Sequence, residues 1–113
     1  MALLYKGVPS NPENGLRVRL GFNEEELTSG TKVLTPQDAQ FQMLEASGGH
    51  RQVNMPLASA SQGLFFRIEN LASETHNLNI HDSTGAAFPE AITIQPESSA
   101  FIVYDGTTWS YCG

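Results

Sequence analysis

The sequence predicts an all-β protein, an antiparallel β-sandwich or small barrel that follows an extended N-terminal arm. Several short segments alternate apolar and polar residues with a period of two, which is the pattern of half-buried strands. Glycine and proline separate these segments at intervals of about 8 to 12 residues, as in sandwiches and barrels. No apolar pattern of helical period extends over ten residues. At 113 residues the chain supports one domain, which we place at residues 16–113, after an arm at residues 1–15.

The arm is predicted from its proline, glycine and asparagine content. Two residues of each type occur within residues 1–15. Proline removes a backbone donor, and glycine and asparagine favour turns, so neither a helix nor a central strand is expected there. The apolar residues Leu3, Leu4, Tyr5 and Val8 are expected to anchor the arm on another surface.

The sequence of the first half of the domain predicts short strands, with a short helical turn as the alternative at two places. Apolar and charged residues alternate strictly over residues 16–20, which predicts a strand with Arg17 and Arg19 on its polar face. Residues 24–26 are predicted to open a short helical turn capped by Asn23, since asparagine accepts the free N–H groups of a helix start. Further strands are expected near residues 33–34, 41–43 and 53–55, although residues 38–44 also fit an amphipathic helical turn.

The second half gives the clearest alternation. In residues 63–70 we expect Leu64, Phe66 and Ile68 to face inward. Further strands are expected around residues 78–80, 92–94, 101–104 and 109–111. Trp109 is predicted to point into the core. The alternative is an exposed aromatic platform for a sugar or a partner protein, formed by Trp109, Tyr111, Tyr104, Phe65 and Phe88.

Composition excludes several classes of function. The net charge of −6 argues against binding nucleic acid, which needs a basic face. The N-terminal apolar residues stop at Lys6, short of a secretory signal, and no apolar run reaches the ~18 residues of a membrane span. We therefore expect a soluble protein made in a cytoplasm. The single cysteine, Cys112, forms neither an internal disulfide nor a multi-cysteine metal site.

Catalytic or metal chemistry is not predicted. His76 and His81 are five residues apart, so on one strand they point to opposite faces, and nothing in the sequence brings His50 to either of them. Acidic residues stand mostly in or beside turns, where they are expected to cap the backbone. A serine–histidine–aspartate set cannot be recognised without geometry. We expect no cofactor and no metal, and a protein that is not an enzyme.

The order of motifs resembles a small β domain of tailed-bacteriophage virion proteins. That domain opens on Leu-Thr-x-x-Asp and closes on Asp-Gly-x-x-Trp. The resemblance runs from residue 31 to residue 113 and rests on Thr35, Asp38, Met55-Pro56, residues 63–70, 82–85, 96–99 and 105–109. The family's usual Pro-Gly turn is replaced here by Pro96-Glu97, which suggests a turn of a different type.

The resemblance implies a structural protein. Chains that consist of this domain and an arm look like capsid decoration (cement) proteins, which sit as homotrimers on the outer head surface and hold major capsid protein subunits together. The expected capsid or intersubunit contacts are Leu3, Leu4, Tyr5, Lys6, Arg17 and Arg19. The arginines are equally compatible with a solvated strand face. The alternative is a tail-fibre or baseplate component, or a receptor- or carbohydrate-binding module.

Overall fold

A computed structural model describes residues 21–57 and 62–112. The arm and the expected strand at residues 16–20 lie outside this part of the chain, so their predicted conformations stay predictions. Within the described residues every regular element is a β-strand, and the all-β prediction is confirmed. The strands are β1 (Phe22–Leu27), β2 (Thr31–Val33), β3 (Phe41–Ala46), β4 (Arg51–Asn54), β5 (Phe65–Asn70), β6 (Leu78–His81), β7 (Ala87–Ile94), β8 (Ser99–Tyr104) and β9 (Trp109–Cys112).

The strands form two sheets. Sheet A has the order β1-β3-β5-β8-β9, and sheet B has the order β2-β4-β6-β7. From β1 to β6 the chain passes to the other sheet after every strand, so neighbours within a sheet are two strands apart in sequence and run parallel. The pairs β5–β8, β6–β7 and β8–β9 are antiparallel.

The prediction of an antiparallel architecture is therefore wrong for the first six strands. Both sheets are mixed, and they stand as two separate layers rather than as the small barrel given as an alternative. Side chains alternate with a period of two in parallel and antiparallel strands alike, so the pattern carries no information on strand direction. Strand direction instead follows from the way the chain crosses from one sheet to the other after each strand.

Neither of the two helical alternatives is present, and the strand expected at residues 41–43 is confirmed. Residues 23–26 belong to β1, which pairs in register with β3 from Phe22 opposite Phe41 to Leu27 opposite Ala46. Residues 41–44 belong to β3. As an edge strand, β1 directs Glu24 and Glu26 to solvent while its backbone bonds to β3, and this pairing outweighs the low strand propensity of glutamate.

The core lies between the two sheets. Phe66 and Ile68 are fully buried as predicted, and Leu64 packs against the core from its edge. The buried set comprises Leu27, Leu34, Leu44, Ala46, Val53, Met55, Phe66, Ile68, Ala72, Leu78, Ile80, Ile92, Ile94, Ala100, Ile102, Tyr104 and Trp109. Burial of this apolar surface, at roughly 25 cal/mol per Å², holds the sheets together.

One buried amide joins the two sheets. Asn70, at the end of β5, is fully buried, and its Oδ1 accepts hydrogen bonds from the N–H groups of Ala72 (3.0 Å) and Ala46 (3.4 Å). Its Nδ2 donates to the carbonyls of His76 (2.9 Å) and Ile94 (3.1 Å). Four backbone groups from sheet A, sheet B and the loop between them therefore depend on this one side chain.

Polar contacts also close the side of the sandwich formed by β1 and β2. Lys32 of sheet B forms an ion pair with Glu25 of sheet A at 2.7 Å, and the hydrogen bond from Lys32 lowers the pKa of the Glu25 carboxyl. The Arg51 guanidinium donates to the carbonyls of Leu27 (3.1 Å), Thr28 (2.6 Å) and Ser47 (2.7 Å). These bonds fix the ends of β1 and β3 against β4.

Candidate interaction surface

Most of the turns on which the sequence resemblance rests gather at one end of the sandwich, which we call the arm end because the described chain begins there at Gly21. The parallel strands of sheet A start at this end, and those of sheet B finish there. Trp109 Nε1 donates to the carbonyl of Pro56 at 3.3 Å and so ties the loops of the two sheets together. The arm end comprises residues 34–40, 55–57, 62–64, 82–86 and 105–108 together with the adjoining strand ends at residues 21–22 and 33.

The Thr35–Asp38 turn is held by its own two motif residues. The Asp38 carboxylate accepts a hydrogen bond from the Thr35 N–H at 2.8 Å, and the Asp38 N–H donates to the Thr35 carbonyl at 3.0 Å. The Thr35 hydroxyl accepts the Gln37 N–H at 3.3 Å. These two motif positions therefore close the turn between β2 and β3.

Two other aspartates organise turns in the same way. Asp82 Oδ1 accepts hydrogen bonds from the Thr84 hydroxyl (2.6 Å) and from the N–H groups of Thr84 (2.9 Å) and Ala86 (3.0 Å). Asp105 Oδ1 accepts the N–H groups of Thr107 and Thr108, both at 2.9 Å. These donors favour the ionised carboxylate, so the pKa of each group lies below its ordinary value: the Thr84 hydroxyl contributes most at Asp82, and the Thr108 N–H at Asp105.

These shifts predict a loss of stability in acid. A lowered folded-state pKa stabilises the fold above the unfolded-state pKa, and this stability disappears as the pH falls through the folded-state value. The double variant Asp82→Asn/Asp105→Asn keeps the acceptor oxygens but cannot titrate at these positions. Its free energy of unfolding, measured by urea denaturation across the acid range, should therefore fall less steeply than that of the wild type.

The variant Thr84→Val is a partial control for this experiment. It removes the hydroxyl that contributes most to the shift at Asp82 but leaves the carboxyl free to titrate. Its acid dependence should lie between those of the wild type and the double variant. Identical slopes for all three proteins would contradict the prediction.

The Pro96-Glu97 turn lies at the opposite end of the sandwich and corrects one expectation. The Ser98 N–H donates to the Gln95 carbonyl at 3.1 Å, and Glu97 has a φ of 61°. A positive φ at the third position of a turn with proline at the second is the geometry of type II, in which glycine is preferred. The turn type that suits Pro-Gly is thus kept, with glutamate in a conformation that is costly for a residue with a Cβ.

Replacing Glu97 with glycine should stabilise the protein. The left-handed conformation costs a non-glycine residue about 1 to 2 kcal/mol, and the greater backbone freedom of unfolded glycine offsets part of the gain. We expect Glu97→Gly to raise the free energy of unfolding by about 0.5 to 1 kcal/mol in urea denaturation. Glu97→Ala is the matched control, since it removes the carboxylate but keeps the Cβ. An equal gain in both variants would show that the backbone strain is not the cause.

The arm end also carries the three most exposed large apolar side chains of the described residues. Phe22 at the start of β1 is 61% exposed, Val33 at the end of β2 is 60% exposed and Leu57 after β4 is 61% exposed. These three side chains come from β1, β2 and the loop after β4, so both sheets contribute exposed apolar groups near the end where the described chain begins.

The histidines are placed by local contacts. His50 Nδ1 accepts the Asn77 N–H at 2.9 Å, and its ring lies edge-on to His76 with centroids 6.3 Å apart. His81 Nδ1 lies 2.9 Å from the carbonyl of Gly85, at the other end of the sandwich. Sequence reasoning did not find the proximity of His50 to His76. Among residues 21–57 and 62–112, no three histidine, cysteine or carboxylate side chains are grouped as metal ligands.

The aromatic platform is divided between the core and the surface. Trp109 is 7% exposed, as predicted, and packs against Tyr104 and Phe66 with ring centroids 5.4 and 6.1 Å away. Tyr111 is exposed, and it borders an open cleft of about 480 Å³ between β7 and β9, together with Phe88 and Ile92. Phe65 lies elsewhere, on the outer face of sheet A beside Phe101, with centroids 5.1 Å apart.

The predicted contact residues Leu3, Leu4, Tyr5, Lys6, Arg17 and Arg19 all lie outside the described residues, so their roles stay predictions. The structure instead adds a surface that sequence reasoning missed, the outer face of sheet A. Strands β3, β5 and β8 carry apolar residues on both faces, and the inner set is Leu44, Phe66 and Ile102. The double-sided apolar pattern of these strands was the available signal.

Comparison with known proteins identifies no family. No family model and no curated protein matches the chain. Among solved structures, a chain from a chaperone–substrate complex aligns with 16% identity and a TM-score of 0.49, covering 78% of this chain and 15% of that one. Residues 21–57 and 62–112 contain no helix long and apolar enough to cross a membrane.

Proposed function

We propose that this chain is a structural virion protein, a capsid decoration (cement) protein that binds the outer surface of a phage head. It would act as a homotrimer, without catalysis, and clamp neighbouring major capsid protein subunits. The observation that carries the proposal is the arm end, where Phe22, Val33 and Leu57 stand exposed beside the junction with the arm. Apolar side chains at one end of a small rigid body suit attachment to a larger surface.

The turns support the same proposal. Thr35–Asp38, Asp82–Gly85 and Asp105–Thr108, which carry the resemblance to phage virion domains, are closed by hydrogen bonds to their own aspartates. Self-contained turns hold the loops of the arm end in fixed positions without a partner. A preformed surface loses little conformational entropy on binding, which favours attachment through modest contacts. A trimer would multiply those contacts through effective concentration.

Deletion of residues 1–15 tests the proposed attachment. The truncated protein should fold, as judged by cooperative urea unfolding, but should no longer cosediment with expanded capsids, because the arm supplies contacts that the body lacks. Full-length Phe22→Ser/Leu57→Ser should also bind at least ~10-fold more weakly, the effect of losing about 1.4 kcal/mol of apolar contact. The control is Tyr111→Ser, which changes an exposed aromatic residue on β9, at the edge of sheet A opposite to Phe22. Full binding by the truncated protein would rule out the arm as the attachment element.

The cleft between β7 and β9 favours a second candidate function, carbohydrate or receptor recognition by a tail component. Phe88 and Tyr111 border the cleft together with the polar groups of Glu90, Thr108 and Ser110, a combination that suits sugar rings. In this case Tyr111→Ser should abolish binding to a cell-surface glycan array. The copy number in purified particles separates the two functions, since hundreds of copies indicate head decoration and a handful indicate a tail.

A further inference from the structure

The outer face of sheet A is apolar at the arm end. Register places Phe22, Phe41, Arg67, Phe101 and Cys112 in one row across all five strands. Around this row, six apolar side chains form what we call the apolar face: Phe22, Phe41, Met43, Phe65, Phe101 and Val103. None of them belongs to the core cluster, which fills the other side of the sheet.

The same face is acidic toward its other end. Glu24 and Glu69 occupy the next outward row, on either side of Met43, and Glu26 and Glu45 occupy the row beyond it. Arg67 stands between the two halves, where it donates to Glu69 (3.4 Å) and to the Ser99 hydroxyl (3.1 Å). A partner for this face must therefore combine apolar side chains with positive charge.

The described residues offer little positive charge of that kind. They contain 11 acidic but only three basic residues, Lys32, Arg51 and Arg67. Lys32 pairs with Glu25, Arg67 with Glu69, and Arg51 binds backbone carbonyls. The other three basic residues, Lys6, Arg17 and Arg19, all precede residue 21, where Glu13 is the only acid. Charge complementarity therefore selects the N-terminal segment.

The area of the apolar face also favours the N-terminal segment as its binding partner. Four strand spacings make the face about 19 Å wide, and two to three rows of side chains give an apolar area on the order of 300 Å². A standard protein–protein interface buries about 800 Å² on each partner, so this face is too small to hold a second folded copy by itself. Like carboxylates would also oppose each other across a two-fold contact. A short segment of chain fits the area.

We propose that in the isolated protein, before any partner is bound, residues 3–8 of the N-terminal arm bind the apolar face of sheet A in the same molecule; attachment to a capsid would release them. Leu3, Leu4, Tyr5 and Val8 supply apolar groups, and Lys6 supplies the charge that the carboxylates attract. The chain enters β1 at Gly21, whose carbonyl accepts the Phe41 N–H at 3.1 Å, directly beside the face. The 13 residues from Val8 to Gly21 span up to about 43 Å, more than the width of the sheet. Tethering adds a local concentration on the order of millimolar.

The native thiol on this face provides the test. Cys112 is exposed and lies opposite Phe101 on the outer face of sheet A. In full-length Tyr5→Cys, treated at low protein concentration with oxidised glutathione, we expect an intramolecular disulfide between positions 5 and 112, read out by peptide mass mapping. The matched control is Tyr5→Cys/Cys112→Ser/Thr31→Cys, which moves the second thiol to the outer face of sheet B on the edge strand β2, where Thr31 is exposed. The native placement should react at least ~10-fold faster, because binding raises the local thiol concentration.

Two further variants identify the forces involved. In the Tyr5→Cys background, Phe101→Ser should slow disulfide formation by weakening the apolar contact, and Lys6→Glu should slow it by reversing the charge facing the carboxylates. Equal rates for the two thiol placements would overturn the proposal. A disulfide-linked dimer as the main product would overturn it too, because the arm would then bind a second copy. The experiment uses the isolated protein, so its outcome does not depend on capsid binding.

Discussion

Replacing Asn70 with leucine should destabilise the protein by about 4 kcal/mol. Leucine keeps the branched shape of asparagine and is somewhat larger, but it provides neither the acceptor for Ala46 and Ala72 nor the donor for His76 and Ile94. A buried backbone group without a partner costs about 1 to 3 kcal/mol, and local rearrangement recovers part of the sum over four groups. The midpoint of urea unfolding measures the loss.

Two variants separate this mechanism from a general loss of polarity. Asn79→Leu changes a half-buried asparagine whose side chain meets Thr93 at 3.5 Å, and it should cost less than about 1 kcal/mol. Asn70→Asp keeps the shape but turns a carboxylate toward two carbonyls, so the pKa of this carboxyl should rise. The free energy of unfolding of the variant should therefore lie furthest below that of the wild type at neutral pH, and the difference should shrink as the pH falls. A deficit below about 1 kcal/mol in Asn70→Leu would show that the four backbone groups find other partners.

Replacing Trp109 with alanine should cost about 3 to 5 kcal/mol, as large-to-small substitutions of buried aromatic residues do. The indole fills the space beside Phe66 and Tyr104, and its Nε1 ties β9 to the carbonyl of Pro56. Its removal leaves a cavity and releases the β8–β9 turn from the loop that follows β4. Thermal or urea unfolding monitored by circular dichroism provides the measurement.

Two control variants are matched to Trp109→Ala. Tyr111→Ala changes another aromatic residue of β9, and Trp109→Phe makes a smaller change at position 109 itself. Tyr111→Ala removes an aromatic residue that is 48% exposed and should cost less than about 1 kcal/mol. Trp109→Phe keeps most of the apolar volume but loses the hydrogen bond, and should lie between the two. Because Trp109 is the single tryptophan of the chain, its emission in the wild type should shift to the red on unfolding. Similar losses in Trp109→Ala and Tyr111→Ala would contradict the assignment of Trp109 to the core.

Sequence alternation predicted the strands best where one face alone is apolar. In β6 and β7 the pattern identified Leu78, Ile80, Ile92 and Ile94, all of which are buried. In β8 both faces are apolar, and the alternation left open whether Phe101 or Ile102 faces the core. The structure buries Ile102 and exposes Phe101. Packing of the two sheets makes that choice, because it depends on which face meets another layer.

The candidate surface was only partly accessible from sequence. The aspartates of the turns were expected to cap the backbone, and Asp82 and Asp105 do so through local contacts within four residues. The gathering of Phe22, Val33 and Leu57 at one end depends on strands from both sheets. No local pattern encodes it, since these residues are up to 35 positions apart in the sequence.

The sequence by itself determined the all-β class, the inward positions of β5, β6 and β7 and the self-capped aspartate turns. Each of these depends on residues within one strand or one turn. Only the tertiary structure decided that the first six strands pair in parallel, that residues 23–26 form an edge strand, and that Asn70 joins the sheets. Strand direction and partner are set by how the chain winds between layers. That winding is fixed by contacts between residues far apart in sequence, which a period-two pattern does not specify.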